Sequence, residues 1–252
     1  GAGLAVRRGG AGLRRVRAGG DEAGDGQGRR DVAHRPGTQG APVVVWFHGG
    51  GLTGGSRAGP EALRARDYGG GGAGYRLAPE TPVPEIIDDA AAAVAWAFRH
   101  AAEYGGDASK IYIAGHSAGG YLVDMVALDR RYLRRYGIEA DSLAAVVPYS
   151  GQAVTHFTHR RMQGIGPLQA VVDSLAPLYH VRGDAPPMLI LSGDRELELY
   201  GRYEETAYFH RMLRLAGHPD ATLLEIQGFD HGDMCAPGHL LLVKYIRRRE
   251  NR

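Results

Sequence analysis

Short apolar runs alternate with longer amphipathic stretches over most of this chain. The clearest run is residues 43–47, VVVWF, which is continuously apolar and rich in β-branched residues, as in a strand buried on both faces. Similar runs follow it, and each of them predicts a further buried strand. They occupy residues 110–115, 143–151, 187–193 and 221–228.

Amphipathic stretches between these runs predict helices. In residues 85–106 apolar side chains recur at steps of three and four, and adjacent glycines end the pattern. Helices are likewise predicted over residues 119–137, 201–217 and 238–250. Strands that alternate with helices favour an α/β fold, with a mostly parallel central sheet and helices on both faces.

Residues 152–186 interrupt this alternation, with a short helical piece predicted over residues 168–179. Because the segment follows a strand end, we expect it to form a small cap over the carboxyl edge of the sheet. Open α/β sheets bind their ligands at that edge. We therefore expect one α/β domain over residues 41–252, with the cap as an insertion in it.

Bulk composition narrows the classes of function. Of the 252 residues 44% are apolar, enough for one sizeable core, and the net charge of +2 gives no reason to expect nucleic acid as a partner. Cys235 is the single cysteine, so no disulfide within the chain and no cysteine-based metal site are expected. No apolar run approaches the roughly 20 residues of a membrane span, and the first residues lack a signal-peptide pattern. We expect a soluble protein. The sequence leaves its compartment open, with the cytoplasm slightly favoured, and makes no prediction of its oligomeric state.

The segment GHSAG, residues 115–119, carries the first candidate chemistry. It fits G-x-S-x-G between a predicted strand and a predicted helix, where a sharp turn strains the serine backbone and presents its Oγ above the sheet. The following helix N-terminus stabilises negative charge. Ser117 is therefore the candidate nucleophile, and His116 is interpreted as a packing residue of the turn.

The segment HGGG, residues 48–51, follows the first clear strand. Glycines let backbone N–H groups point into a site, and an element of this type supplies oxyanion donors in lipases and esterases. Taken alone, the segment is equally compatible with a flexible loop. Its combination with the serine turn favours the oxyanion interpretation.

A serine nucleophile needs a base, and the base needs an acid that orients it. His231, in GFDHG after the last predicted strand, fits the chain order of serine, acid and histidine found in α/β hydrolases. The acid should follow the strand at residues 187–193, where Asp194 and Glu196 both fit and Glu198 is a weaker third candidate.

Together these motifs resemble the α/β-hydrolase esterases of the hormone-sensitive-lipase-like group, close to small carboxylesterases and feruloyl or acetylxylan esterase-like enzymes. The matching segments are VVVWFHGGG, YRLAPE, DDAAAAVAWAF, GHSAGG, SGDRELE and GFDHG, which extend over residues 42–246. The resemblance implies an oxyanion hole formed by the N–H groups of Gly50, Gly51 and Ala118. It also favours Glu196 over Asp194 as the acid.

The resemblance further implies a serine esterase that forms an acyl-enzyme on Ser117, with His231 as its base. Its substrates would be small molecules, namely short-chain esters or soluble aryl and acetyl esters, and no metal or organic cofactor is needed. Two alternatives stay open. One is an arylformamidase or other amidase on the same fold, and the other is a non-catalytic binding protein with a hydrolase fold.

The chain departs from the family pattern in two places. The family has an N-terminal strand pair, whereas residues 1–40 of this chain are poorly patterned and a candidate for disorder. The family also has an apolar internal strand at the place where residues 57–74 of this chain end in GGGGAG. Such glycine-rich composition buries little surface and carries a high backbone entropy cost. We therefore expect the sheet to lack that internal strand or to carry a poor one. Both stretches have the Arg/Gly/Ala bias of a shifted reading frame in GC-rich DNA, a hypothesis that sequencing codons 57–75 tests.

Overall fold

One mixed sheet forms the centre of the computed structural model of this protein, which describes residues 6–8, 14–18, 30–34, 37–64 and 68–252. Its strands are β1 (Val6–Arg8), β2 (Arg14–Ala18), β3 (Arg30–His34), β4 (Ala41–Phe47), β5 (Gly69–Ala73), β6 (Gly106–His116), β7 (Ala145–Tyr149), β8 (Met188–Gly193) and β9 (Ala221–Ile226). The order of these nine described strands in the sheet is β1-β2-β3-β5-β4-β6-β7-β8-β9.

The sheet changes character between β3 and β5. From β5 to β9 each neighbouring pair is parallel. In contrast, β1, β2 and β3 pair antiparallel with one another, and β3 pairs antiparallel with β5. The parallel part confirms the α/β architecture that the alternating sequence pattern predicts, and the five predicted buried strands appear as β4 and β6 to β9.

Helices cover both faces of the parallel part. They are α1 (Glu61–Arg64), α2 (Val83–His100), α3 (Ala118–Leu128), α4 (Arg130–Arg134), α5 (Phe157–Met162), α6 (Arg202–Leu215) and α7 (Cys235–Glu250). The apolar sides of α2, α3 and α6 pack against one face of the sheet. Those of α1 and α7 pack against the other face.

Side-chain alternation along β4 connects the two layers of the core. Val43, Val45 and Phe47 belong to the layer of α2 and α3, whereas Val44 and Trp46 belong to the layer of α7. Both sets are buried. A strand that is covered on both faces needs apolar residues at every position, which explains why VVVWF is continuously apolar.

The single helix predicted over residues 119–137 is wrong, because the chain forms two helices there. α3 ends at Leu128, and Asp129 has an extended backbone with φ −86° and ψ 95°. The Asp129 carboxylate accepts a hydrogen bond from the Arg131 N–H and so caps α4. The apolar spacing continues across this break, so the sequence pattern does not reveal it.

Other helix predictions differ from the structure at their ends. α2 stops at His100, where the chain tightens into a 3-10 turn (Ala101–Tyr104) that ends at Gly105 with φ 74°. α7 begins at Cys235, before the predicted start at residue 238. In the insertion, the helical piece predicted over residues 168–179 is wrong: the described chain has only a 3-10 turn there, Pro177–His180.

Strands also occur where the sequence pattern predicted none. β1, β2 and β3 fall within residues 1–40, and β5 is built from the glycine run itself. All five residues of β5 pair in parallel register with Val43–Phe47 of β4. The internal strand is therefore present, although it consists of four glycines and Ala73. The other residues before Gly37, and residues 65–67, lie outside the described residues.

Candidate active site

A sharp turn between β6 and α3 presents Ser117. β6 ends at His116, α3 begins at Ala118, and Ser117 has φ 55° and ψ −113°, a conformation that an L-residue adopts only under strain. The Ser117 N–H donates to the Tyr149 carbonyl at 2.8 Å, which ties the turn to the neighbouring strand. A Cβ on Gly119 would lie 2.8 Å from the His48 carbonyl oxygen, so the close approach of α3 to the end of β4 requires glycine.

His231 lies within hydrogen-bond distance of this serine. Its Nε2 is 2.9 Å from the Ser117 Oγ. It belongs to the loop between β9 and α7, where the Asp230 carboxylate accepts hydrogen bonds from the N–H groups of Gly232 and Asp233. The structure thus brings together the two residues that sequence analysis selected as nucleophile and base.

The carboxylate beside His231 belongs to Glu198. Its Oε2 is 2.8 Å from the His231 Nδ1, and the Glu198 side chain is fully buried. The choice of Asp194 or Glu196 for this position is therefore corrected by the geometry. Asp194 instead accepts hydrogen bonds from the N–H groups of Glu196 and Gly228, and Glu196 is exposed.

A tight turn after β8 explains why the third carboxylate takes this place. The N–H groups of Leu197 and Glu198 both donate to the Asp194 carbonyl at 2.9 Å, so the chain turns back on itself. An Asp at the start of such a turn commonly caps it with its own side chain. That capping role, recognisable from Asp194 directly after a strand, is the signal that could have directed the sequence analysis towards Glu198.

The surroundings of Glu198 keep its carboxylate charged. Burial by itself raises the pKa of this group, but hydrogen bonds from His231, Ser150 and the Gly193 N–H outweigh burial and lower the pKa to about 2. An ionised carboxylate can orient the His231 ring and stabilise the imidazolium that forms when the ring accepts a proton.

His116 does more than pack in the turn. Burial, together with the charge of His231, lowers the pKa of His116 to about 4, so its ring is neutral near pH 7. Its Nε2 lies 2.6 Å from the His231 carbonyl, and a carbonyl can only accept, so this nitrogen carries the proton and donates. The ring centroids of the two histidines are 4.7 Å apart. His116 therefore anchors the loop that carries His231.

The glycine loop after β4 approaches the serine turn. A Cβ on Gly49 would lie 3.3 Å from the Ser117 Cβ, which places the loop directly beside that residue. Gly50 has φ 119° and Gly51 has φ 64°, both in the region that favours glycine. Among the described residues, the N–H groups of Gly50, Gly51 and Ala118 donate no backbone hydrogen bond in this loop or turn. None of these three N–H groups is thus committed to a backbone acceptor there.

Hydrogen bonds from Tyr75 and Thr158 hold this glycine loop in place. The Tyr75 hydroxyl of the YRLAPE segment donates to the His48 carbonyl at 2.7 Å, and its ring stacks on the His48 imidazole. On the other side the Thr158 hydroxyl, in α5, donates to the Gly51 carbonyl at 2.5 Å. The insertion is thereby connected directly to the glycine loop.

Backbone strain is concentrated around this site. In the part of the chain that the structure describes, the non-glycine residues with positive φ are Leu52 (65°), Ser117 (55°) and Ser150 (48°). Leu52 follows the glycine loop, and the Ser150 hydroxyl contacts Glu198. Strained residues of this kind persist where the surrounding structure fixes them, and they cluster at functional sites.

A cavity of about 440 Å³ lies next to the site, between the insertion and the start of α6. Most of its wall is apolar and comes from Val154, Phe157, Pro167, Leu168, Ala170 and Leu199. A Cβ on Gly51 would lie 3.1 Å from the Phe157 ring, so this ring separates the cavity from the glycine loop. The volume matches that of small-molecule sites.

The residues that the structure describes were also searched for metal-binding clusters and for membrane-spanning helices. Among them, no group of three or more His, Cys, Asp or Glu side chains could hold a metal ion. The helices searched in the same residues include none that is long and apolar enough to cross a membrane.

A parallel sheet with a strained serine on the turn after β6, a histidine after β9 and a glycine loop after β4 defines an α/β hydrolase. The solved structures that resemble the chain have this fold. The truncated form of a carbohydrate esterase from gut microbiota aligns with a TM-score of 0.79 at 16% identity, over 94% of this chain and 95% of that one. A bacterial heroin esterase aligns with a TM-score of 0.72 at 23% identity, over 98% and 84%.

The chain belongs to the BD-FAE family, whose family model matches residues 31–199. It is also similar to esterase LipC of Mycobacterium tuberculosis, with 30% identity over 227 residues, 81% of this chain and 55% of LipC. Carboxylesterase NlhH of the same species is 46% identical over 91 residues, 34% of this chain and 28% of NlhH. The chain spans about half the length of LipC and less than a third of NlhH in these matches.

Proposed function

We propose that this protein is a serine hydrolase that cleaves carboxylic esters, with Ser117, His231 and Glu198 as its catalytic triad. The observation that carries the proposal is the continuous hydrogen-bonded series from Ser117 Oγ to His231 Nε2 at 2.9 Å and from His231 Nδ1 to Glu198 Oε2 at 2.8 Å. Nucleophile, base and orienting acid within hydrogen-bond reach are the signature of nucleophilic acyl transfer.

In the first half of the reaction, the Ser117 Oγ attacks the ester carbonyl carbon while His231 Nε2 takes the hydroxyl proton. The carbonyl oxygen becomes an oxyanion, and the N–H groups of Gly50, Gly51 and Ala118 donate to it. Each such donor contributes roughly 3–4 kcal/mol in a comparable hydrolase. Glu198 stabilises the imidazolium through Nδ1–H. The C–O bond then breaks, and His231 gives its proton to the departing alkoxide, which leaves as the alcohol.

In the second half, water repeats these steps on the acyl-enzyme. His231 takes one proton from the water, and the resulting hydroxide oxygen bonds to the acyl carbon. The bond to Ser117 Oγ then breaks as His231 returns the proton to it. The free acid leaves and the serine is regenerated, so no oxidant, reductant or metal takes part.

The cavity beside the site has room for a small substrate group, although Ser117 and His231 do not themselves line it. Its apolar wall reaches the glycine loop through Phe157 and the triad through Leu199, which follows Glu198 in the chain. Short-chain acyl esters and soluble aryl or acetyl esters are the substrate class that we propose. The names of the similar proteins, which include a carbohydrate esterase and a heroin esterase, agree with small ester substrates.

Turnover of p-nitrophenyl acetate and p-nitrophenyl butyrate by the wild-type chain and by Ser117→Ala tests this function. We expect the variant to lose at least about 10⁴-fold in kcat, because residual catalysis without the nucleophile is small. Ser109→Ala, which changes an exposed serine outside the site, is the matched control and should keep wild-type turnover. Equal turnover by wild type and Ser117→Ala would refute the mechanism. The amidase alternative predicts in addition that p-nitroanilides of the same acids are cleaved as fast as the esters.

A further inference from the structure

A second buried serine contacts the proposed acid. Ser150 follows β7 directly and is fully buried. Its Oγ donates to the Glu198 Oε1 at 2.5 Å and lies 3.1 Å from the His231 Nδ1. No sequence motif singles it out, since it is one serine before a glycine at a strand end.

The two carboxylate oxygens of Glu198 have different hydrogen-bond partners. Oε1 accepts from the Ser150 hydroxyl and from the Gly193 N–H at 3.0 Å. Oε2 faces His231 and accepts from the Leu199 N–H at 3.1 Å. Fixing Oε1 prevents rotation of the carboxylate about its last bond, and this keeps Oε2 directed at the histidine.

The protein holds the Ser150 backbone in an unfavourable conformation at this place. Ser150 has φ 48°, although it is not a glycine. Its N–H donates to the Leu191 carbonyl at 2.7 Å, and its carbonyl accepts from the Arg202 Nη1 at 2.6 Å. The Arg202 side chain is itself almost fully buried. A strained residue fixed on both sides by hydrogen bonds indicates that the direction of its side chain matters.

The Ser150 hydroxyl also completes the surroundings of the histidine. Its single proton goes to Glu198, so an oxygen lone pair is left to face His231 Nδ1–H. When the imidazolium forms, this N–H can therefore be shared between the Glu198 carboxylate and the Ser150 oxygen. Both contacts favour the charged ring that appears during acyl transfer.

We propose that Ser150 is a positioning residue for the reaction: its hydroxyl fixes the Glu198 carboxylate against His231 and accepts part of the Nδ1–H hydrogen bond. Ser150 does not touch the substrate in this proposal, and it acts through the acid and the base. The inference rests on the proposed ester-hydrolase function. It goes beyond that function because it assigns a fourth residue to the chemistry.

The test compares Ser150→Ala and Ser150→Gly with Ser192→Ala. Both Ser150 variants remove the hydroxyl, but glycine also relieves the positive φ, so the pair separates the hydroxyl from backbone strain. Ser192 is the matched control, because it is equally buried on the neighbouring strand and its hydroxyl bonds only to the Gly193 carbonyl among the described residues. Each variant is assayed with p-nitrophenyl butyrate across pH and examined by proton NMR for the low-field Nδ1–H resonance.

We expect both Ser150 variants to lose about tenfold in kcat at similar KM, since a hydrogen bond to a charged group is removed. The loss in kcat should hold across the pH range in which wild type is active, because the imidazolium forms in every turnover. The low-field resonance should shift in both variants, while Ser192→Ala should match wild type in every measurement.

The proposal is overturned if both Ser150 variants stay within about twofold of wild type in kcat at every pH with an unshifted resonance. It is also overturned if Ser150→Ala alone is impaired, since backbone strain would then account for the effect. Should either variant fail to fold, as judged by thermal unfolding, the other decides on the same criteria. Failure here is distinct from failure of the proposed function, because only the latter leaves Ser117→Ala active.

Discussion

The two neighbours of β4 make opposite use of glycine. On one side, β6 carries Ile111, Tyr112 and Ile113 into both layers of the core and has glycine only near its ends, at Gly106 and Gly115. On the other side, β5 is glycine at four of its five positions. Both strands pair with β4 in regular parallel register over Val43–Phe47. Backbone pairing and side-chain packing are therefore separable in this sheet.

The lack of side chains on β5 leaves the core on both of its faces less tightly packed. A cavity of about 40 Å³ lies between β5 and α2, and another of about 20 Å³ lies on the opposite face of the same strand. Missing side chains on β5 explain both cavities, because glycine contributes no side-chain atoms to either layer of the core. The candidate site takes its serine, acid and histidine from the ends of β6, β8 and β9. It therefore depends on β5 through β4 and through Tyr75, which follows β5 and contacts His48 of the glycine loop.

The largest effect is expected at the candidate site, which takes its residues from the ends of β6, β8 and β9 and not from β5. Glu198→Gln should lower kcat by about 10³- to 10⁴-fold, because a neutral amide neither stabilises the imidazolium nor fixes the correct tautomer of the histidine. Glu196→Gln changes an exposed carboxylate two residues away and is the matched control. Assays of p-nitrophenyl butyrate hydrolysis measure both variants. A large loss in Glu196→Gln together with a small loss in Glu198→Gln would contradict the assignment.

Matched glycine-to-alanine changes, one in α3 directly after β6 and one in β5, should change the free energy of unfolding with opposite signs. Gly119→Ala places a Cβ 2.8 Å from the His48 carbonyl oxygen and closer still to that of Phe47. Neither backbone atom can move without disturbing β4. We expect a loss of about 1–3 kcal/mol in the free energy of unfolding, as for other overpacked sites.

Gly69→Ala is the other half of the pair. Its new Cβ meets only the Val43 Cγ2 at 3.6 Å and the Pro42 carbonyl oxygen at 4.0 Å, which are ordinary contacts. The residue has no positive φ and lies in the wall of both cavities. We expect a gain of about 0.5–1 kcal/mol from reduced backbone entropy in the unfolded chain. Urea unfolding of both variants measures the pair, and equal signs would contradict the contrast between the two positions.

The remaining prediction concerns the dependence of stability on pH. The folded chain lowers the pKa of Glu198 to about 2, so the ionised carboxylate contributes stability above its unfolded pKa of roughly 4.3. That contribution is lost as the pH falls towards about 2. The stability difference between wild type and Glu198→Gln should therefore shrink between roughly pH 5 and pH 2. Urea midpoints at a series of pH values measure it, and a constant difference would contradict the pKa.

The features that could be predicted from the sequence are those marked by a short, local pattern of residues. Ser117, His231 and the glycine loop carry their own short motifs, and the apolar runs mark β4 and β6 to β9. The choice of Glu198 among three carboxylates depends on a turn closed by the Asp194 carbonyl, and the local signal for that turn is the position of Asp194 directly after a strand. Ser150 has no motif at all, and its role depends on residues distant in the chain.

The sequence pattern did not predict a regular strand at β5, for a different reason. Glycine has a poor strand propensity, and a strand without side chains has no pattern to recognise, so only its neighbours hold it in the sheet. Gly70, with φ 119°, would bring a Cβ 2.8 Å from the Val44 carbonyl carbon and closer still to its oxygen, so this position accepts glycine alone. The shifted-frame hypothesis for codons 57–75 stays a prediction for DNA sequencing.

The hydrogen bond from Thr158 to the Gly51 carbonyl has a consequence for how specificity can change in relatives of this protein. The segment that shapes the binding cavity also supports the loop that supplies the proposed oxyanion donors. An insertion transplanted from another hydrolase would therefore alter rate as well as selectivity unless a hydroxyl arrived at the same place. We expect chimaeras that keep Thr158 and its neighbours in α5 to exchange substrates freely, and those that replace α5 to lose turnover on every ester.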